Sequence, residues 1–394
     1  GDCLASVLDA AGYQVWREFY VNDAGNQIEK FGCSLEARYL QIFKGDEIEF
    51  PEDGYQGEDI KDLAKEYADL NGDSLVNVSA EERKKALVDY ALPKNIKKMQ
   101  ADMEKYKIFY DKWFFESELH KSGAVKAVVD LLTEKGLTYE KDGAVWYKNK
   151  EVLTQKLLKE GKSQKYIDNL ELKDDVLIRQ NGNPTYFTAD IAYHKNKFDR
   201  GFTTLIDVWG ADHHGHVMRM KGAMDAIGYD GDKLNVVLMQ LVKLVKDGEL
   251  VKMSKRTGKA IQLGDLLDEV PVDSARFLFN TKEANTQMDF DLDLAVSQDN
   301  QNPVYYVQYA HARICSIFKS LAKEGISPRE CTDAELALLT APEEKELINH
   351  LASYTNEIIS ATKDYDPTKV TRYVTQLATL FHKFYNACRV KGEE

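Results

Sequence analysis

The sequence predicts an α/β protein: a Rossmann-like domain split by a mixed insertion and followed by an all-α domain. One observation is a buried-strand pattern at 204–210 that ends in a Gly-x-Asp sequence. A second is the mainly helical, highly charged stretch 34–120 that precedes it, and a third is the helical periodicity that begins at 298. Open parallel sheets bind ligands at the carboxyl ends of their strands, so the end of 204–210 is a candidate site.

Composition narrows the class of protein. The chain has 394 residues, 43% hydrophobic and 30% charged, which is an ordinary balance for a folded protein of two or three domains. No apolar run approaches the ~20 residues of a membrane span, and the first residues lack a basic signal-peptide region. The net charge of −13 argues against nucleic acid as a general partner, although local basic surface would suffice for RNA. Five scattered cysteines support neither a zinc site nor a disulfide framework, and we expect a reducing cytoplasm.

The elements follow in order along the chain. We predict a helix at 3–13, a strand at 15–21 that ends in a polar loop, and helices through most of 34–120. The aromatic run 113–115 is interpreted as packing. Further segments are predicted as a helix at 123–135, strands near 139, 145–147 and 176–179, a tight turn at Asn181-Gly182, and one apolar strand over 234–245. The predicted division is 1–40 and 176–290 for the two parts of the Rossmann-like domain, 41–175 for the insertion, and 291–394 for the helical domain.

The segment 252–259, Lys-Met-Ser-Lys-Arg-Thr-Gly-Lys, holds four cations in eight residues. The Lys252 and Lys255 ammonium groups and the Ser254 hydroxyl are suited to phosphate oxygens. Such a loop can close on a triphosphate and stabilise the charge that develops on leaving pyrophosphate. A solvated basic turn is the alternative, because short basic loops are common.

Two further groups of residues carry candidate chemistry. Tyr186 and Asp190 are four residues apart, and an aspartate can accept a guanidinium through two parallel hydrogen bonds, although spacing alone favours a helix cap for Asp190. Gly210, Asp212, His213 and His216 form a Gly-x-Asp-x-x-x-His pattern, for which a metal site is one interpretation.

An aromatic and basic face is predicted near the start of the helical domain. Its members are Asn302, Tyr305, Tyr306, Tyr309, His311 and Arg313. Aromatic rings interleaved with arginine suit unstacked RNA bases. The same helical spacing would also allow Tyr305 and Tyr309 to pack against the rest of the chain, and we expect a mixture of the two.

Four of these segments, in this order, resemble the arginyl-tRNA synthetases of bacterial type, a class I family. They are Asn-Pro-Thr-Tyr-Phe-Thr-Ala-Asp-Ile-Ala-Tyr-His at 183–194, Trp-Gly-Ala-Asp-His-His-Gly-His at 209–216, Lys-Met-Ser-Lys-Arg at 252–256, and Asn-Pro-Val-Tyr-Tyr-Val-Gln-Tyr-Ala-His-Ala-Arg at 302–313. The resemblance runs from the first residue to the last. It implies a class I catalytic domain, an all-α anticodon-binding domain, and ATP-dependent activation of arginine followed by transfer to tRNA-Arg.

The resemblance also implies roles for individual residues. Lys252, Ser254 and Lys255 would be catalytic, and Tyr186 and Asp190 would bind arginine. ATP would contact Gly210, Asp212, His213, His216, Lys252, Met253 and Lys255. The residues implied for tRNA are Asn302, Tyr305, Tyr309 and Arg313. The expected cofactors are ATP and the Mg²⁺ that accompanies it, without protein-bound zinc. The expected partners are arginine, ATP and tRNA-Arg. We expect a monomer that is located in the cytoplasm and does not bind a membrane.

One departure from the family concerns its His-x-Gly-His signature, which should stand just before a Gly-Asp pair such as Gly1-Asp2. The signature and the small N-terminal domain of the family are not in this sequence. We therefore expect either a fragment cut at both ends or the visible portion of a longer protein. If the chain is the whole molecule, we expect it to be nearly inactive but to bind tRNA. A synthetase-derived tRNA-binding protein is the alternative function, and a non-RNA nucleotidyltransferase would not explain the helical domain.

Overall fold

The computed structural model describes residues 1–251 and 261–390, apart from the side chain at position 46. It contains two compact units. The terminal unit comprises Gly1–Arg17, Asp102–Phe109 and Met239–Glu394, and the central unit comprises Glu18–Ala101 and Tyr110–Leu238. These units do not test the predicted four-part division of the chain, which stays a prediction.

Helices dominate the described residues. In chain order they are α1 (Asp2–Ala10), α2 (Gly25–Lys44), α3 (Glu58–Asn71), α4 (Ala80–Lys105), α5 (Glu116–Lys121), α6 (Ala124–Glu134), α7 (Asn149–Lys159), α8 (Gln164–Asp168), α9 (Tyr186–Asp199), α10 (His214–Ile227), α11 (Leu263–Glu269), α12 (Val272–Phe279), α13 (Leu292–Val296), α14 (Pro303–Lys323), α15 (Asp333–Leu336), α16 (Pro342–Ala352), α17 (Tyr354–Lys363) and α18 (Thr368–Ala387). The helices predicted at 3–13 and 123–135 are α1 and α6, and the mainly helical stretch 34–120 contains α3, α4, about half of α2, most of α5 and the strand at Lys112–Phe115.

The strands are short. They are β1 (Glu18–Val21), β2 (Lys112–Phe115), β3 (Thr138–Lys141), β4 (Ala144–Tyr147), β5 (Asp175–Ile178), β6 (Leu205–Gly210), β7 (Leu234–Met239), β8 (Val242–Lys246), β9 (Glu249–Leu250) and β10 (Met288–Asp291). They form four small sheets, ordered β1-β2, β3-β4-β5, β6-β7 and β10-β8-β9.

In the central unit, α2, α3 and α4 pack around an apolar core that includes Leu35, Tyr39 and Leu87. This core also holds a buried cation. The Arg83 guanidinium donates to the backbone oxygens of residues 75, 76 and 78 and to the Glu36 carboxylate at 2.6 Å. Because every one of these partners is an acceptor, the charge is paired inside the helical layer.

The strands of the central unit bring distant segments together. β1 and β2 pair in parallel, with Tyr20 opposite Phe114 and Val21 opposite Phe115. β5 pairs antiparallel with β4, and α6, α9 and α10 bury their apolar faces around Leu177. The polar residues that follow β1 and β2 therefore meet at one edge of the parallel pair.

The predicted strand 234–245 is wrong as a single element. The chain forms β7 and β8 instead, which belong to two different sheets. The reason is that Gln240 leaves the ladder and donates its backbone N–H to the Ala284 oxygen at 2.8 Å. An apolar run shows that strands are present but not where the chain turns between them.

In the terminal unit, β8 and β9 form a hairpin through Asp247 and Gly248, whose φ angles are 53° and 77°. Positive φ at both central residues is typical of a two-residue hairpin turn. The chain enters the segment 252–260 directly after this hairpin. The remainder of the unit is helical, and α16 and α17 pack against α18.

Candidate active site and RNA-binding face

The start of α9 is tied to strand β5 by two threonines. The Thr185 hydroxyl donates to the Val176 oxygen and the Thr188 hydroxyl donates to the Leu177 oxygen, each at 2.8 Å. The helix begins at Tyr186, so Asp190 lies one turn inside it and on the same side as Tyr186. The helix-cap interpretation of Asp190 is therefore wrong, because the N-cap position belongs to Thr185.

The Asp190 carboxylate is held by His216, whose Nε2 lies 3.0 Å from Asp190 Oδ2. Arg219 Nη2 lies 3.0 Å from the other ring nitrogen, Nδ1. A guanidinium can only donate, so Nδ1 accepts and the ring proton is on Nε2, which donates to Asp190. Arg219 pairs in turn with Asp175, the first residue of β5. The four side chains form one hydrogen-bonded chain that ends on Asp190.

His216 is enclosed by aromatic rings. The centroids of Tyr186, Phe187 and Trp209 lie 5.8, 5.5 and 5.3 Å from the His216 ring. The imidazole is only 5% exposed, and both of its nitrogens are occupied. The structure therefore does not support the predicted ATP contact of His216, because the ring has no free polar atom to offer a nucleotide.

A second histidine supports the backbone of Asp190. His194 Nδ1 lies 2.7 Å from the Asp190 carbonyl oxygen, and Nε2 lies 2.5 Å from Asp207 Oδ2. Lys197 Nζ approaches the other Asp207 oxygen at 2.7 Å. Burial opposes ionisation of Asp207, but Lys197 and His194 outweigh it and hold the pKa of this carboxyl far below its usual range.

A buried carboxylate, Glu116, lies near Asp190 and was not predicted as a site residue. It follows the last residue of β2, and the Asn22 amide just after β1, when its nitrogen is oriented toward the neighbouring acceptors, donates to Glu116 at 3.2 Å. Burial and then the Asp190 charge raise the pKa of Glu116, although Tyr20 and His120 partly offset this. Burial, followed by the charges of Glu116 and Asp190, also raises the pKa of Tyr20.

The signal for Glu116 was present but incomplete. The run 113–115 was interpreted as packing, and Phe114 is indeed buried at 2% exposure. The sequence does not indicate that the residue after that run lies at a ligand-facing strand end, because the parallel pairing with β1 is not visible in the sequence. Once this pairing is known, Asn22 and Glu116 become neighbours at the ligand-binding edge.

The predicted nucleotide residues Gly210, Asp212 and His213 lie where β6 ends and a short turn begins. The Asp212 side chain is 83% exposed and His213 is 55% exposed, with 3.7 Å between Asp212 Oδ2 and His213 Nε2. These side chains can accept and donate to a ligand without breaking internal bonds. The predicted residues Lys252, Met253, Ser254 and Lys255 lie outside the described residues.

The metal interpretation of the histidine-rich segment has no support in the described ranges. No group of three or more His, Cys, Asp or Glu side chains there has a geometry that could hold a metal ion. Within residues 1–251 and 261–390, no helix combines the length and the apolar character needed to cross a membrane.

The predicted RNA-binding face lies on α14 in the terminal unit. Tyr305 and Tyr309 stack with ring planes 7° apart, and Arg313 donates to the Tyr309 hydroxyl at 2.7 Å. The Arg313 guanidinium also lies 4.5 Å from the ring of Tyr385 on α18, and His382 stacks on Tyr309. Sequence reasoning missed these two residues, since α18 is distant from α14 in the chain.

Asn302 has a different role from the one predicted. Its side chain caps α14, accepting from the Val304 N–H at 3.0 Å and donating to the Ser297 oxygen at 2.9 Å. The residue is 3% exposed. The structure does not support a tRNA contact for Asn302, because both amide groups are used inside the protein.

Comparisons with known proteins identify the family of this chain. Residues 1–315 match the family described as tRNA synthetases class I (R), catalytic domain, and residues 307–394 match the DALR anticodon binding domain. The chain is 55% identical to an arginine–tRNA ligase of Ruminiclostridium cellulolyticum and 56% identical to one of Caldanaerobacter subterraneus. Each match covers 100% of this chain and 67% of the relative.

Solved structures of arginyl-tRNA synthetases also align with this chain. A crystal structure from Campylobacter jejuni, assigned as an arginyl-tRNA synthetase, aligns with a TM-score of 0.81 at 35% identity, covering 100% of this chain and 81% of that chain. Thermus thermophilus arginyl-tRNA synthetase aligns with a TM-score of 0.72 at 20% identity, covering 99% and 71% of the two chains, and supports the fold alone. These matches confirm the predicted fold class of a catalytic α/β domain followed by a helical anticodon-binding domain.

Proposed function

Because the chain belongs to the class I arginyl-tRNA synthetase family, whose reaction joins arginine to tRNA-Arg at the expense of ATP, we propose that Glu116 and Asp190 recognise the arginine guanidinium. The main observation that supports this proposal is that these two neighbouring carboxylates lack a lysine or arginine partner among the described residues. A substrate guanidinium would supply the missing cation and five donors in a planar fork.

The neighbours of the pocket are consistent with this role. Tyr20 hydrogen bonds to Glu116, and Tyr186 lies on the same helical side as Asp190 with 63% of its surface exposed. The exposed phenol ring of Tyr186 can cover the guanidinium plane. His216 keeps the Asp190 carboxylate in one orientation, which favours a two-point contact over a diffuse ionic one.

We propose that ATP binds beside this pocket at the carboxyl end of β6. Asp212 would accept hydrogen bonds from ribose hydroxyls, and the absence of a side chain at Gly210 would let the adenine ring approach the backbone. His213 would stack on the base or donate to it. The segment with Lys252, Met253, Ser254 and Lys255 would bind the phosphates and stabilise leaving pyrophosphate, a role supported by its sequence.

Magnesium would enter with ATP, because Mg²⁺ in nucleotide sites is held largely by phosphate oxygens and water. It would offset charge on the triphosphate during the attack of the arginine carboxylate. The chain's own contribution is positioning: Asp190 and Glu116 orient the arginine, and the groups after β6 orient the nucleotide.

For tRNA-Arg, we propose that Tyr305, Tyr309 and Arg313 bind unstacked bases together with Tyr385. The support is a stacked aromatic pair capped by a guanidinium on a partly exposed face. We also propose a cytoplasmic monomer, consistent with five free cysteines.

The test is a ligand panel that separates charge from shape. Binding of arginine, citrulline and lysine to this chain is measured by isothermal titration calorimetry. Citrulline is nearly isosteric with arginine but neutral, so it is expected to bind at least tenfold more weakly. Lysine carries the charge without the planar fork and should also bind weakly. Equal affinity for arginine and citrulline would refute the carboxylate pocket.

A further inference from the structure

We propose that His216, held in a single tautomer by Arg219, is a positioning residue for Asp190 and thereby determines selectivity for the guanidinium group. This inference rests on the proposed function of the Asp190 pocket. It assigns His216 to amino-acid recognition, whereas the family resemblance implied that His216 contacts ATP together with Asp212 and His213.

The first step of the argument is the direction of the hydrogen bonds. Arg219 can only donate, so the lone pair of His216 Nδ1 faces it and the ring N–H points at Asp190. One Asp190 oxygen is therefore committed to the imidazole. The carboxylate plane is fixed by this bond, and its remaining lone pairs are available to a ligand.

The second step concerns rigidity. The imidazole cannot rotate freely, because Tyr186, Phe187 and Trp209 surround it and leave 5% of the residue exposed. Arg219 is itself fixed by Asp175 and lies over the Phe187 ring at 5.5 Å. A chain of fixed side chains thus runs from strand β5 to the carboxylate that meets the substrate.

The third step is the consequence for selectivity. A two-point contact with a guanidinium requires the carboxylate within a narrow range of orientation, whereas a point charge such as an ammonium does not. A freely rotating Asp190 would still attract cations. Loss of a fixed orientation would weaken arginine binding more than lysine binding, so the ratio of the two dissociation constants measures how well Asp190 is positioned.

Two substitutions at position 216 separate positioning from nucleotide contact. His216→Gln keeps both a donating N–H group, which can reach Asp190, and an accepting oxygen, which can reach Arg219, whereas His216→Phe keeps a ring without either. A positioning role predicts that Phe weakens arginine binding about tenfold or more while Gln stays within about threefold of the wild type. If the His216 ring instead stacks on adenine, Phe should keep the affinity for ATP and Gln should weaken it.

The experiment measures Kd for arginine, lysine and ATP by calorimetry, and the melting temperature, for the wild-type chain, H216F, H216Q and D190N. For H216F, the expected result is a rise in the arginine Kd and an unchanged ATP Kd. The affinity for arginine relative to the affinity for lysine should fall. An unchanged arginine Kd in H216F, with binding lost in D190N, would overturn this inference and leave the pocket intact. A wild-type chain that binds no arginine would overturn both.

A spectroscopic readout covers the case in which H216F folds poorly. In the wild-type chain, imidazole ¹⁵N shifts of His216 should show an unprotonated Nδ1 and a protonated Nε2. Arg219→Met removes the donor to Nδ1 and should let the second tautomer appear, with a parallel loss of arginine affinity. A single unchanged tautomer in R219M, with unchanged affinity, would also overturn the inference.

Discussion

Replacing Glu116 with glutamine is expected to weaken arginine binding and stabilise the fold at the same time. The Glu116 side chain is 11% exposed, so water cannot substitute for its charge in the pocket. A hydrogen bond to a charged partner is worth about 1.5–3 kcal/mol, which corresponds to about a 10- to 150-fold rise in the arginine Kd. The amide keeps the size of the side chain, so the loss would come from charge.

The stability change has the opposite sign. Burial raises the pKa of Glu116 in the folded chain above its unfolded value. The carboxyl group therefore favours folding while it is protonated, and this contribution is lost as pH rises through the folded-state pKa. Above the unfolded-state pKa, the cost of charging this buried carboxyl group opposes folding, so Glu116→Gln should melt at a higher temperature at neutral pH. The difference should vanish at acidic pH, where the wild-type group is also neutral.

The raised pKa has a third consequence for binding. Where the free pocket is partly protonated, arginine must displace a proton, so affinity should fall as pH is lowered through the folded-state pKa. Calorimetry in two buffers with different ionisation enthalpies counts the released protons. Glu118→Gln is the matched control, because it lies in the same helix, is 47% exposed and pairs with Lys112. An E116Q chain with the arginine Kd of the wild type would refute the pocket assignment.

Three further changes test separate parts of the structure. Asp207→Asn should destabilise the chain by about 3–5 kcal/mol at pH 7, because it leaves the largely buried Lys197 ammonium without its counter-charge and removes the carboxylate acceptor of His194. The lowered pKa of Asp207 means that this contribution is present above the usual aspartate pKa and fades only in strong acid, as a pH series of urea melts would show. Arg83→Met should lower the free energy of unfolding, measured by urea denaturation, by a similar amount, because Glu36 and three backbone oxygens lose their donor. Lys85, on the same helix, has a side chain that is 75% exposed, so Lys85→Met should change the free energy of unfolding little. Tyr309→Ala should raise the tRNA-Arg Kd about 5- to 150-fold in filter binding without a matching loss of melting temperature, whereas Phe318→Ala, exposed on the same helix, should leave tRNA affinity unchanged.

Local patterns were sufficient for much of the fold. The helical pattern of 123–135 predicted α6, and the four-residue spacing of Tyr186 and Asp190 predicted that both lie on one side of α9. Asn181 and Gly182 predicted a tight turn that the structure contains, because the Arg179 N–H donates to the Asn183 oxygen at 2.9 Å and Gly182 has a φ of 81°. These features depend on residues within one or two turns of each other, so their physical cause can be read from neighbouring side chains.

Assignments based on residue type alone were less reliable. Asn302 and His216 are both polar residues in motifs, yet Asn302 caps a helix and His216 supports a carboxylate. A sequence shows that a polar group is present but not whether it faces water or another buried group. Burial decides which of these holds, because a buried donor or acceptor is nearly always satisfied within the protein.

The sequence by itself determined the family, most of the helices, and one strand end, that of 204–210, at which a ligand is expected. Only the tertiary structure placed Glu116 beside Asn22, because the parallel register of β1 and β2 joins segments more than ninety residues apart. The same is true of Tyr385 beside Arg313 and of the chain from Asp175 to Asp190. Periodicity is a local property of the chain, whereas the pairing of buried charges and hydrogen bonds depends on which distant elements pack together.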